Sequence, residues 1–221
     1  PEQTKTLLLP QVSRCAAHAV EYLHSRGIDY ELIDFCIRTG RLYESYPHHN
    51  AVFVGKDKDG QPRYACLRGI GTDFKATGSD KRFSFSIPAE ESSQVLYLFE
   101  SAIDLLSFAA MAQEDRLPWR SQHLLSLAGV YQPKKNLTER HLPLALSQYL
   151  RDHREIQTIY LCLDNLAGRS AADAIRQQLA GRYVVLDGFP CQGKDYNDWL
   201  CLRKGLPITR TVSKPERSMA R

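Results

Sequence analysis

The hydrophobic rhythm of the chain changes near its middle. Up to about residue 40 apolar positions recur at helical spacing. Val12, Ala16, Ala19 or Val20, and Leu23 share one face, and Gly27 can end that helix. Asp29 is placed to cap a second helix through about Arg38, closed by Gly40. The stretch "AVFVGKDKDGQPRYACLRGI" (51–70) then reads as two strands about Asp59-Gly60, a hairpin signal. "RFSFSI" (82–87) alternates as well and predicts a third strand beside that hairpin. "PAEESS" (88–93) reads as a linker.

From residue 95 strands and helices take turns. "VLYLF" (95–99) predicts a buried strand, with a helix to about Gln113. "HLLSLAGV" (123–130), "IQTIYLCL" (156–163) and "RYVVLD" (182–187) predict three more strands. Helical patterns follow at 142–153, 168–180 and 195–205. This alternation implies an α/β architecture, a parallel sheet covered by helices on both faces. The expected division is an N-terminal α+β unit with a β-hairpin or meander (1–90), an α/β unit (91–205), and a polar, basic tail or linker (206–221).

Composition narrows the partners. The chain has 221 residues, 43% hydrophobic and 24% charged, as in an ordinary globular protein. No apolar run nears the roughly 20 residues that span a bilayer, so the expectation is a cytoplasmic protein with no membrane partner. The net charge of +4 permits nucleic-acid binding without demanding it. Six cysteines form no CxxC pair, so neither a zinc ribbon nor bound zinc is expected. Cys162 falls in an apolar strand and Cys15 and Cys36 on helical faces, which suits reduced thiols. His48, His49 and His123 lack partners at ligand spacing and read as loop or surface residues. Lys134-Lys135 is too short a cluster to interpret.

Candidate chemistry collects where the predicted strands end. In an open α/β sheet, ligands bind outside the carboxyl ends of the strands. The first strand delivers Glu100 there, with Asp104 one turn on as a structural acid. The third delivers Asp164, and the fourth leads to Lys194, Asp195 and Asp198. Any one of these acids alone reads as a helix cap or dipole partner. Carboxylates from three strand ends on one edge are what a Mg²⁺ or Mn²⁺ site requires. Upstream, Lys56, Lys58, Arg63, Arg68, Lys75, Lys81 and Arg82 interleave with Tyr64, Phe74 and Phe83. That mixture suits a single-stranded DNA template; the competing reading is core aromatics and solvated lysines.

These motifs carry a resemblance. "VLYLFESAIDLLSF" resembles the opening motif of TOPRIM domains, and "LCLDNLAGRSAA" their second motif. "GKDYNDWL" resembles the third acidic element of primase-like members. "FVGKDKDGQPRYACLRGI" and "GSDKRFSFSI" resemble the uncharacterised domain that precedes TOPRIM in proteins of conjugative and integrative mobile elements. The resemblance implies a TOPRIM-like sheet and Mg²⁺ or Mn²⁺ as cofactor. Glu100 would be a catalytic acid/base or metal ligand, and Asp164 a catalytic residue and ligand. Asp195 and Asp198 would add metal contacts, and Lys194 a phosphate contact. It further implies single-stranded DNA or nucleotides as partners, with other replication or mobilisation proteins. The usual second motif is Asp-x-Asp-x-Ala-Gly. Here Asp164-Asn165-Leu166-Ala167-Gly168 is one residue shorter and lacks the second aspartate, with Asn165 left as a neutral amide ligand. Two readings follow: a primase-like enzyme of nucleotidyl transfer or phosphodiester chemistry, or a catalytically degenerate module that binds nucleic acid or protein.

Overall fold

The computed structural model describes residues 6–69, 72–129 and 141–208. Lys134, Lys135 and the tail beyond residue 208 lie outside them. The chain opens with helices α1 (Ala17–Ser25) and α2 (Tyr30–Arg38). The first begins later than its apolar spacing predicts, because residues before it are drawn into another pairing. Val12 bridges to Ser45, and Ser13 N–H donates to Glu44 O at 2.8 Å. Cys15 is accordingly exposed and outside the helix. Gly27 and Gly40 end the two helices with φ of +85° and +64°, a left-handed geometry that favours glycine. Asp29 precedes α2 but makes no side-chain cap; its carboxylate accepts from Lys204 Nζ at 2.6 Å instead.

An antiparallel sheet follows, in the order β1 (Leu42–Glu44), β2 (Ala51–Lys56), β3 (Pro62–Gly69) and β4 (Thr72–Lys75). The hairpin turns at Asp59-Gly60 as predicted. "RFSFSI" does not join this sheet. Lys81–Phe83 forms a 3-10 turn, and β5 (Ser86–Ile87) crosses to the second sheet. Phe85 explains the crossing: fully buried, it packs edge-on against Phe53 at 5.3 Å between ring centres. The crossing backbone runs so close to β2 that a Cβ on Gly55 would lie 1.8 Å from Phe83 O.

The second sheet is a mixed one with a parallel body. Strands β6 (Val95–Phe99), β7 (His123–Ser126), β8 (Thr158–Cys162) and β9 (Val184–Asp187) are parallel, in the order β5-β7-β6-β8-β9 with β5 antiparallel at the edge. Helices α3 (Ala102–Glu114), α4 (Leu144–Asp152), α5 (Ala167–Leu179) and α6 (Tyr196–Lys204) cover its faces. Alternate strand residues serve different cores, as the period of two requires. Leu96, Leu98 and Leu161 pack with Leu146 of α4 and Ile175 of α5. Phe99 and Cys162 belong to a second core with Leu106 of α3 and Leu200 of α6.

That second core also contains Leu23, Leu32 and Ile33, so α1 and α2 are packed onto the sheet's helices. Polar clasps reinforce the junction. Asn197 accepts from Arg26 Nε at 2.6 Å and donates to Arg26 O at 2.8 Å and Ser107 Oγ at 3.0 Å. A buried amide so fully satisfied fixes geometry, whereas any one lost partner leaves a polar atom dry at a cost of about 1–3 kcal/mol.

Candidate metal and nucleic-acid site

Glu100 directly follows β6, and its residue is 5% exposed. Ser101 caps α3 behind it: its Oγ accepts from Asp104 N–H at 3.2 Å and donates to Asp104 Oδ2 at 2.5 Å. Asp104 Oδ1 also accepts from Asn197 N–H at 3.3 Å, tying α3 to α6. Asp104 is therefore a buried structural acid. Glu100 Oε1 accepts from Asp164 N–H at 3.3 Å, which joins the ends of β6 and β8. Gly168 makes this approach possible. A Cβ there would lie 2.6 Å from Leu163 Cβ and 3.0 Å from Glu100 Oε1, so α5 starts this near the acid only with a bare backbone.

The third acidic segment is held against Asp164 by Asn165. Asn165 N–H donates to Lys194 O at 2.9 Å, and its amide nitrogen donates to Pro190 O at 3.1 Å and Gly193 O at 2.9 Å. The residue read as a neutral ligand is thus used as a clasp between loops. Leu166, where an acid is missing, is 86% exposed. Asp195 caps α6, its Oδ1 accepting from Asp198 N–H at 2.8 Å. Asp198 Oδ2 accepts from Lys194 N–H at 3.1 Å. These two bonds fix the start of α6 and occupy one oxygen of each carboxylate.

Lys194 stands among these acids, its Nζ 3.2 Å from Asp164 Oδ2 and 3.8 Å from Asp195 Oδ2. Burial, with Asp164 and Asp195 adding repulsion, pushes the Glu100 carboxyl up to about 7, although Asp164 N–H and Lys194 pull the other way. Burial, then Asp195, raises Asp104 to about 7. Asp164 is raised by burial against the pull of Lys194. For Lys194, burial works against the ammonium, but Asp164, Asp195 and Asp104 outweigh it and raise its pKa. Carboxylates crowded enough to resist ionising are what an added cation relieves. Glu100, Asp164 and Asp195 offer the hard oxygens that Mg²⁺ or Mn²⁺ takes. The donor chemistry suits such an ion, although the ligand oxygens of these three residues do not all lie within 4.8 Å of one another and Lys194 already supplies one positive charge among them.

The basic residues of the first sheet do not form one surface. Arg63 pairs with Asp57 at 2.7 Å and Arg68 with Asp73 at 2.5 Å. Tyr64 is buried in the core while Phe74 is 53% exposed, so only the second is offered to a base. Lys75 and Lys81 lie beside each other, and burial followed by that neighbour lowers the Lys75 pKa. Lys56 and Arg82 instead line a cleft of about 300 Å³ with Arg41, Lys58, Phe83 and Tyr149, between the first sheet and α4. Within it Arg82 grips Asp80 and Lys56 Nζ donates to Thr39 O at 2.8 Å. Arg41, distant in sequence from the other basic residues, is not part of the pattern that points to them.

The sequence matches two family models. Residues 21–93 match a protein of unknown function (DUF3991), and residues 97–200 match the Toprim-like family. The C-terminal half is a Toprim-like domain. Its fold extends upstream to solved primases. The primase fragment of the bacteriophage T7 primase-helicase protein is 19% identical, with a TM-score of 0.60 over 92% of this chain and 78% of that one. The RNA polymerase domain of Mycobacterium tuberculosis primase is 12% identical, with a TM-score of 0.54 over 88% and 76%. The zinc-binding and RNA polymerase domains of Aquifex aeolicus primase are 15% identical, with a TM-score of 0.52 over 84% and 54%. Such identities establish the fold alone. No curated protein matches the sequence. In the Toprim-like domain, Glu100, Asp164 and Lys194 meet at the carboxyl edge of the parallel strands, the place where open sheets bind ligands.

Proposed function

We propose that this chain is a primase-like, DNA-processing protein of a mobile element, whose carboxylate edge works with one Mg²⁺ or Mn²⁺. The observation that carries the reading is the convergence of Glu100, Asp164 and Asp195 on Lys194, with the Glu100 carboxyl raised to about 7. Asp164 and Asp195 would hold the ion, with Glu100 beside them. When bound, the ion would act as a Lewis acid on phosphate oxygens. A carboxyl poised near neutrality can take a proton from an attacking hydroxyl and return it, and Glu100 is so poised. The Lys194 ammonium would face a phosphate, while Asp198 serves the cap. Residues 1–90 would present a single-stranded template along the cleft lined by Arg41, Lys56, Lys58 and Arg82. Residues 91–205 would carry the acids, with 206–221 as a polar tail. The mobile-element setting rests on the resemblance of the first unit. A cytoplasmic location fits a chain in which no described helix is long and apolar enough to cross a membrane.

The second reading, a degenerate binding module, is favoured by Leu166 and by a lysine that already balances part of the charge. Incubating the protein with a single-stranded template, ribonucleotides and Mn²⁺ separates the two. The enzyme reading expects short products that fall at least ~100-fold in the Glu100→Gln variant. Salt-dependent template binding with neither synthesis nor cleavage would establish the binding module instead.

A further inference from the structure

The amino-terminal edge of the parallel sheet, opposite the acids, holds a second cluster. His123 opens β7, His153 follows α4, and Glu155 lies just before β8. Their ligating atoms all lie within 4.8 Å of one another. His153 Nδ1 is 3.3 Å and His123 Nε2 is 3.5 Å from Glu155 Oε1. Two ligands about 2.0–2.1 Å from a tetrahedral zinc ion stand about 3.3 Å apart, so both spacings suit ligands of one ion.

A second observation points the same way. The His123 side chain is 3% exposed, and its Nε2 is buried with no hydrogen-bond partner among the described residues. Its other nitrogen is engaged: Nδ1 lies 3.1 Å from Tyr149 Oη and 3.4 Å from Ala89 N. With the proton on Nδ1, donated to Tyr149 Oη, Nε2 presents a lone pair toward Glu155 and His153. That is how an outer partner sets the tautomer of a metal-binding histidine. The opposite tautomer accepts from Ala89 N–H and turns Nε2–H toward Glu155 Oε1 at 3.5 Å, longer than a good hydrogen bond.

A rival cluster behaves differently. His18 and His49 flank the buried Glu44. There His49 Nδ1 lies 2.5 Å from Glu44 Oε1, a hydrogen-bond length too short for two ligands of one ion. The other Glu44 oxygen accepts from Ala19 N–H at 2.9 Å. That group ties α1 to the first sheet through hydrogen bonds.

We propose that His123 Nε2, His153 Nδ1 and Glu155 form a zinc site, with water as fourth ligand, that staples β7 to the α4–β8 turn. The absence of CxxC pairs excludes only a ribbon. His153 also lines the basic cleft, so the staple would steady one of its walls. The proposal is independent of the function assigned to the acidic edge.

The test is to strip the protein with a chelator and titrate Zn²⁺ alone against a chromogenic competitor, with Co²⁺ absorption reporting tetrahedral geometry. One ion per chain is expected, with melting raised by about 5–10 °C at a hundredfold excess over Kd. His153→Ala and Glu155→Gln, both on partly exposed residues, should weaken binding at least ~100-fold. Tyr149→Phe should weaken it about 10-fold. Glu100→Gln and His49→Ala should leave it unchanged. No binding at tens of micromolar Zn²⁺, retention in His153→Ala, or loss in His49→Ala would each overturn the proposal.

Discussion

Replacing Glu100 by glutamine should stabilise the metal-free protein at alkaline pH and not at acid pH. The carboxyl moves from its usual 4.5 to about 7 on folding, mainly through burial and Asp164. At about 1.4 kcal/mol per unit, ionising it in the folded protein costs roughly 3 kcal/mol. Water and relaxation at the strand tip reduce that to about 1–2 kcal/mol. The sign follows from linkage: the folded state binds this proton more tightly than the unfolded state. The stabilising contribution of the protonated group is complete below about pH 4.5 and is lost as pH rises through 7. Glutamine keeps an acceptor for Asp164 N–H and never ionises. Urea denaturation in chelator should therefore show Glu100→Gln more stable than the parent by about 1–2 kcal/mol at pH 8, with little difference at pH 5. Added Mg²⁺ at pH 8 should narrow the gap by stabilising the parent. A gap of equal size at both pH values would refute the claim that these carboxylates crowd one buried edge.

Gly168→Ala should cost about 1–3 kcal/mol by overpacking, because its Cβ would lie 2.6 Å from Leu163 Cβ. It should also weaken Mn²⁺ binding by displacing Glu100; denaturation and calorimetry report the two effects. Lys56→Glu with Lys58→Glu should weaken single-stranded DNA binding about 10-fold and reduce the salt slope by about 2. Arg63→Glu, at a residue already paired with Asp57, should change affinity by less than about twofold in the same titration. Leu166→Asp without an inserted residue should leave Mn²⁺ affinity within about threefold and add only about 0.5 kcal/mol from the α5 dipole, since position 166 is exposed at the helix start.

What the sequence reveals depends on whether a feature is local. The α/β alternation after residue 95 is legible because period and punctuation are local properties. The placement of Glu100, Asp164 and Asp195 follows from it, since parallel strands bring their carboxyl ends to one edge. "RFSFSI" shows where this stops: alternation marks the two faces of a strand but not the sheet that receives it, which Phe85 decides by burial against Phe53. The N-terminal helix starts late because Val12 and Ser13 find strand partners thirty residues on. Tyr64 and Phe74 both sit in strands of the first sheet, yet only tertiary packing tells the core aromatic from the exposed one. Asn165 and Gly168 belong to the motif, but their tasks depend on loops far along the chain: the first clasps Pro190 and Gly193, the second leaves room for Glu100. His123 has no sequence signal at all, since its partners lie thirty residues away across a helix.

The most direct test of the central claim is calorimetric titration of Mn²⁺ into the chelator-treated protein, the Glu100→Gln variant and an Asp164→Asn variant, in the Lys194 background as it stands. The account predicts one ion per chain at the acidic edge, with affinity reduced at least ~10-fold by either substitution, because each removes one hard oxygen charge from the set. Mn²⁺ binding that is absent in the parent, or equal in all three proteins, would contradict it.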